Sequence, residues 1–146
     1  MLEALSENYK PGDWIATLPT YQQTRIREQT GAGLTEDDIA EYWGSGASNS
    51  NIAPFGGNGS NNYYKALLRE FRSLICGDAR YKDTREKITN TFDQGRLVII
   101  SIIAGAIATA LNVAVIYVMP VVALLLEVVC KTGINAWCQV TSDEKI

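Results

Sequence analysis

Positions 97–126 read LVIISIIAGAIATALNVAVIYVMPVVALLL, a run of 30 residues without a charged side chain. About 20 apolar residues are enough for a helix to cross the hydrocarbon core of a bilayer, which is about 30 Å thick. A soluble helical protein would have to bury this run on every side, and the rest of the chain is polar and partly glycine-rich. The run therefore predicts insertion into a membrane, and the alternative is a buried helical hairpin in a soluble protein.

Two arrangements fit the length of this apolar region. A single helix over residues 97–129 would be about 50 Å long at 1.5 Å per residue, so it would tilt or kink. Pro120 is the natural kink because proline lacks a backbone N–H donor. A hairpin would instead place spans over residues 97–118 and 120–138, but the connection between them contains no Gly, Asn or Asp. We favour the single kinked helix for that reason.

Charge and composition divide the chain into unequal parts. Residues 63–96 carry eight Lys or Arg against five acidic residues, and the positive-inside rule places the N-terminal domain in the cytoplasm. The sequence predicts an all-α protein, with a small helical cytosolic domain followed by a long, kinked or hairpin transmembrane segment. The predicted segments are short helices in 1–44, a Gly/Ser/Asn-rich loop or linker in 45–62, basic amphipathic helices in 63–96, the transmembrane region in 97–138 and a polar tail in 139–146.

Local patterns predict where the helices outside the apolar region begin and end. Thr20 with Gln23, and Thr35 with Asp38, each have the spacing of a capping box at a helix start. Positions 64, 67, 68, 71, 74 and 75 are apolar at intervals of three and four, which predicts one buried face on the helix that follows the linker.

The composition excludes several kinds of chemistry. The chain contains no histidine, which excludes Ser-His-Asp and Cys-His hydrolases and any His-ligated zinc site. Cys76, Cys130 and Cys138 are far apart without a CxxC motif, so we predict free cysteines rather than a zinc or redox site. We expect no cofactor, no metal and no enzymatic activity.

Polar and small residues recur on one face of the apolar region. Ser101, Gly105, Thr109 and Asn112 share that face, and its direction continues towards Glu127. Such residues let helices approach closely, so the face predicts self-association as an oligomer interface. It also predicts a pore lining, with Asn112 and Glu127 as polar and acidic rings. Alternatively, Glu127 lies at the far membrane interface and pairs with Lys131.

The basic helices suggest a ligand site. Arginine pairs with phosphate and aromatic rings stack on bases, so the cationic zone predicts an anionic ligand such as a nucleotide or short oligonucleotide. Attraction of the same charges to anionic lipid is the alternative. The candidate ligand residues are Arg69, Arg72, Arg80, Lys82 and Arg85.

Three short motifs carry a family resemblance. They are LICGDARYKD at 74–83, REK at 85–87 and GINAWC at 133–138. With the apolar stretch between them, they resemble the small transmembrane effectors of bacterial anti-phage defence, such as the Hailong channel. The resemblance implies a homo-oligomeric channel that depolarises the bacterial inner membrane. It also implies a co-encoded nucleotidyltransferase whose oligodeoxyadenylate product keeps the channel shut.

These observations combine into one functional prediction with two alternatives. We expect a homo-oligomeric membrane channel or pore-forming effector, gated by an anionic ligand or partner through its cytosolic helices. The first alternative is a holin-like or toxin permeabiliser without ligand control. The second is a membrane anchor or adaptor that recruits a partner enzyme.

Overall fold

The computed structural model describes residues 2, 5, 10–44 and 60–142, without the side chains of 60–62, 141 and 142. The described residues form helices and turns with no β-strand, which confirms the all-α prediction. The α-helices are α1 (Thr20–Gly31), α2 (Glu36–Gly44), α3 (Ser60–Cys76), α4 (Lys82–Asn90), α5 (Arg96–Leu111), α6 (Val115–Thr132) and α7 (Ile134–Ser142). Most of the predicted linker, residues 45–59, lies outside the described residues, as does the end of the predicted tail at 143–146.

Helix α6 forms the centre of the molecule. Every residue from Pro120 to Glu127 is buried, because α2 and α5 pack against it and α7 and the 3-10 helix Ile15–Thr17 add further cover. Within the described part of the chain, α6 is the one helix both long and apolar enough to cross a membrane, although the core helix of a soluble protein would meet the same criteria. Helix α5 is also apolar but shorter.

The apolar region breaks at Asn112 and not at Pro120. Asn112 has the left-handed conformation (φ 57°, ψ 48°), and its N–H donates to the carbonyl of Thr109. The N–H of Val113 donates to the carbonyl of Ala108, which completes a Schellman motif at the end of α5. Asparagine tolerates this conformation better than a β-branched residue does, so the chain reverses here. The favoured single helix is therefore wrong: α5 and α6 pack together, and Pro120 lies inside α6. We refer to α5, α6 and their turn as the apolar hairpin.

The N-terminal helices begin as predicted, but only one uses the predicted cap. Thr35 and Asp38 cap α2 reciprocally, with each backbone N–H donating to the other side chain. At α1 the capping position belongs to Pro19, and the side chain of Gln23 donates to the carbonyls of Ala16 and Leu18 instead. Helix α1 therefore forms without the Thr20 capping box.

Helix α3 joins the C-terminal helix through a covalent bond. Its predicted apolar face is buried, apart from a partly exposed Leu68. Cys76 at its end forms a disulfide with Cys138 of α7, across a sequence separation of 62. The prediction of three free cysteines was wrong for this pair, and Cys130 is the one cysteine outside a disulfide. Helix α7 also continues to Ser142, so the first four residues of the predicted polar tail are helical.

Candidate functional site

The predicted small and hydroxylated residues of α5 lie on its outward side. Ser101 and Thr109 are exposed and Gly105 is half-buried between them. The Ser101 hydroxyl donates to the carbonyl of Leu97 at 2.7 Å, and the Thr109 hydroxyl donates to the carbonyl of Gly105 at 2.9 Å. Because each hydroxyl donates its hydrogen bond to a carbonyl of its own helix, this face needs no acceptor from another molecule. It can therefore contact hydrocarbon or another apolar helix.

The hairpin also exposes large apolar side chains, at the start of α5 and beside the turn. Six large hydrophobic residues are exposed in the described part of the chain, and three of them, Leu97, Val115 and Ile116, belong to the hairpin, at 54%, 42% and 59% exposure. Asn112 is also exposed at this turn. It lies at the end of the hairpin, and its backbone role there is to terminate α5. The predicted continuous face from Ser101 to Glu127 does not form, because α5 and α6 are separate helices.

Glu127 lies in the interior and not on an outer face. It is 1% exposed, and its carboxylate accepts three backbone N–H groups from the segment that precedes α1. Oε2 accepts from Gly12 at 3.0 Å, while Oε1 accepts from Trp14 at 2.9 Å and from Ile15 at 3.3 Å. Lys131, the alternative partner predicted for Glu127, forms an ion pair with Glu36 of α2. The Glu127 carboxylate therefore faces the protein interior, and a role for it in a pore stays a prediction.

Further contacts join the segment around Trp14 to both helices of the hairpin. Asp13 forms an ion pair of 3.0 Å with Arg96, the first residue of α5. The Trp14 indole N–H donates to the Cys130 sulfur of α6 at 3.2 Å, and the Trp14 side chain is 1% exposed. This cluster was not predicted from the sequence. The Pro-Gly pair at 11–12 marks a turn, but nothing in the sequence relates that turn to an acid more than 100 residues away.

Two of the predicted ligand residues, Arg80 and Arg85, form hydrogen bonds or ion pairs around the turn between α3 and α4. Arg85 is 5% exposed, and its guanidinium donates to the carbonyls of Leu74 at 2.9 Å and Asp78 at 2.7 Å. It thereby supplies a donor to one carbonyl in the last turn of α3 and to one in the turn that follows. Arg80 lies within 3.5 Å of carboxylate oxygens of both Glu70 and Asp78. Neither arginine is therefore directed at an external anion in this structure.

The remaining predicted ligand residues do not complete a site around these two. Arg72 donates to the carbonyl of Cys138 at 3.4 Å, which adds a hydrogen bond beside the disulfide. Arg69 and Lys82 are exposed on α3 and α4. A nucleotide site on this surface stays a prediction. It would use Arg69 and Lys82, because these two side chains are exposed to an external anion.

Neither metal geometry nor comparison with known proteins adds an assignment. Within residues 10–44 and 60–142, no group of three or more Cys, Asp or Glu is placed to hold a metal ion. No protein-family model, curated protein or solved structure matches the chain. The resemblance to anti-phage effectors therefore rests on the short sequence motifs.

Proposed function

We propose that this protein forms homo-oligomeric pores by inserting its apolar hairpin into a membrane. The observation that carries the proposal is the hairpin's exposed surface. The outward side of α5 and residues 110–116 around the turn are uncharged, and Leu97, Val115 and Ile116 of these two parts are exposed. A surface of this kind is unfavourable in water and marks a contact with lipid or with another apolar surface.

The dimensions of the hairpin are compatible with insertion. At 1.5 Å per residue, α5 is about 24 Å long and α6 about 27 Å long, against a hydrocarbon core of about 30 Å. The three-residue turn keeps the two helices adjacent and antiparallel. One hairpin cannot enclose a channel, so the small residues Ser101, Gly105 and Thr109 are proposed to pack against other copies of the chain.

The geometry favours a permeabiliser over a ligand-gated channel. Control by an anionic ligand requires a cationic site. Arg80 instead pairs with carboxylates of the protein, and Arg85 donates to backbone carbonyls. Of the functions considered from sequence, the toxin-like pore former is thus the best supported. Gating by a nucleotide or oligonucleotide, and with it a role in antiviral defence, is a further proposal. It predicts that oligodeoxyadenylate changes ion flux in the wild type but not in an Arg69→Glu/Lys82→Glu variant.

The disulfide gives evidence about which side of the membrane the helical domain occupies. Disulfides persist in oxidising compartments and are rare in the reducing cytosol. The positive-inside rule pointed to the cytoplasm, but it applies weakly to folded domains, which translocate largely regardless of charge. We therefore propose that α3 and α7 lie on the oxidising side. A hairpin satisfies this arrangement because it returns the chain to the side on which it entered.

Dye release from lipid vesicles tests the proposed function directly. The purified chain should release a trapped dye from vesicles of phosphatidylethanolamine and phosphatidylglycerol. Ile116→Lys should reduce this release strongly, because Ile116 lies at the tip of the hairpin and its charge would have to cross the hydrocarbon core for the hairpin to span it. Tyr21→Lys is the matched control: Tyr21 is also exposed, at 67%, but lies on α1.

The two variants also separate the proposal from its alternatives. Equal release by Ile116→Lys and wild type would show that the hairpin does not enter the bilayer. Membrane binding without dye release or ion flux by the wild-type chain would support an anchor or adaptor instead. For an anchor, exchanging the hairpin for an unrelated membrane span should leave activity unchanged.

A further inference from the structure

The segment from Gly12 to Ile15 holds the one acidic residue of α6. Three backbone N–H groups from this segment converge on the Glu127 carboxylate, and both of its oxygens are used. Hydrogen bonds to an ionised acceptor are among the stronger ones in proteins. These three hydrogen bonds therefore replace those that a solvent-exposed carboxylate would accept from water.

The local backbone explains how three N–H groups come to face one acid. Gly12 has φ +90°, a conformation that favours glycine, and the short 3-10 helix Ile15–Thr17 follows directly. The first N–H groups of a helix have no partner within the helix, so they are available to an external acceptor. Glu127 occupies that position.

The same segment contacts the other helix of the hairpin. Asp13 pairs with Arg96 at the start of α5, and the Trp14 side chain contacts Cys130 on α6. The Arg96 guanidinium also lies over the Trp14 ring, 5.9 Å from its centroid. Four consecutive residues, 12–15, thus connect to both α5 and α6.

We propose that residues 12–15 act as a latch that holds the apolar hairpin in the compact form and must be released before the hairpin enters a membrane. This inference rests on the proposed function and names its regulation. Glu127 lies about 18 Å along α6 from Val115 at 1.5 Å per residue, well within the part of the hairpin that would insert. An ionised carboxylate is unfavourable in hydrocarbon, so the latched state is favoured while its hydrogen bonds remain.

The test uses Trp14 as a reporter in the full-length chain. Replacing the other two tryptophans gives a Trp43→Phe/Trp137→Phe background in which Trp14 is the single indole. In this background Glu127→Gln should move Trp14 emission to longer wavelength, as the ring becomes exposed. It should also speed amide hydrogen exchange at residues 12, 14 and 15 and along α6 by about tenfold. Dye release from phosphatidylethanolamine and phosphatidylglycerol vesicles should rise in parallel.

Two further variants control for general destabilisation. Glu36→Gln makes the same chemical change at another carboxylate that contacts α6, through Lys131, and should leave Trp14 emission unchanged. Gly12→Ala perturbs the latch from the other side: a Cβ there meets no atom within 4 Å, so the change acts through the backbone conformation alone. It should give the same changes in Trp14 emission and amide exchange as expected for Glu127→Gln, without a substitution in α6, so it tests the latch even where Glu127→Gln does not fold.

The readouts separate the latch from the proposed function. Wild-type emission and exchange in both Glu127→Gln and Gly12→Ala would overturn the latch. So would faster exchange at residues 12–15 without any change along α6. Release of Trp14 and faster exchange in α6, with no dye release by any variant, would support the latch as a device that holds the hairpin and overturn the pore function.

Discussion

Loss of the disulfide between Cys76 and Cys138 should cost this protein a large share of its stability. The bond closes a loop between residues 62 positions apart, so it removes much of the freedom of the unfolded chain. The loop-closure relation gives about 4 kcal/mol for a loop of this length. A domain of ordinary stability unfolds with about 5–15 kcal/mol, so the reduced protein should be close to its limit.

Urea unfolding of the wild type and of the Cys76→Ser/Cys138→Ser variant measures this contribution. With a denaturant slope of about 2 kcal/mol per molar, the midpoint should fall by about 2 M. A reducing agent should lower the wild-type midpoint to the same value and leave the variant unchanged. Cys130→Ala is a control that removes the third thiol and keeps the disulfide, so its midpoint should still fall on reduction.

Alkylation provides an independent check on the same bond. The denatured, unreduced protein should take up one iodoacetamide, at Cys130, and three after reduction. Three adducts before reduction, or a midpoint that reduction does not move, would refute the reasoning. Acid quenching of cells, followed by alkylation of the denatured, unreduced protein, tests the side of the membrane, because a domain in the reducing cytosol should give three adducts.

Three further residues give separate predictions. Arg85→Ala should lower the free energy of unfolding by about 2–3 kcal/mol, because the buried carbonyl of Leu74 loses this donor and the part-buried carbonyl of Asp78 loses one of its two; the exposed Lys82→Ala should cost less than about 0.5 kcal/mol in the same denaturation assay. Asn112→Val should cost about 1–2 kcal/mol, since a β-branched residue resists the left-handed conformation, whereas Asn112→Gly should be nearly neutral by thermal unfolding. Burial raises the pKa of Tyr63 to about 12. The folded state therefore retains a proton that the unfolded state loses above pH 10, and stability should fall between pH 10 and 12. Tyr63→Phe should reduce that fall, as measured by urea midpoints across the range.

The features that could be predicted from sequence are those with short-range causes. The buried face of α3 follows from apolar residues at intervals of three and four. The cap of α2 follows from Thr35 and Asp38, three residues apart, because both partners lie within one turn. In each case the residues that determine the element are neighbours, so their spacing contains the necessary information.

The features that were missed depend on residues distant in sequence. Neither the pairing of Cys76 with Cys138 nor the contact of Glu127 with residues 12–15 leaves a local pattern. The break at Asn112 was missed for a different reason. Pro120 was given more weight as a helix breaker, but asparagine can adopt the left-handed turn that reverses the chain, whereas a proline inside a helix mainly removes one hydrogen bond.

Helix α6 shows why an apolar run alone does not decide between a protein core and a membrane. Its sides from Pro120 to Glu127 are buried by α2, α5 and the segment around Trp14, which cover the surface that lipid would otherwise contact. Apolar side chains are about equally favourable in a protein core and in lipid, so they contribute little to the free-energy difference between the packed and the inserted helix. The difference lies in the polar groups, and Glu127 is the acidic one within this helix. Its three hydrogen bonds favour the packed form, so the partition of the hairpin should respond more to changes at Glu127 and Gly12 than to changes among the surrounding aliphatic side chains.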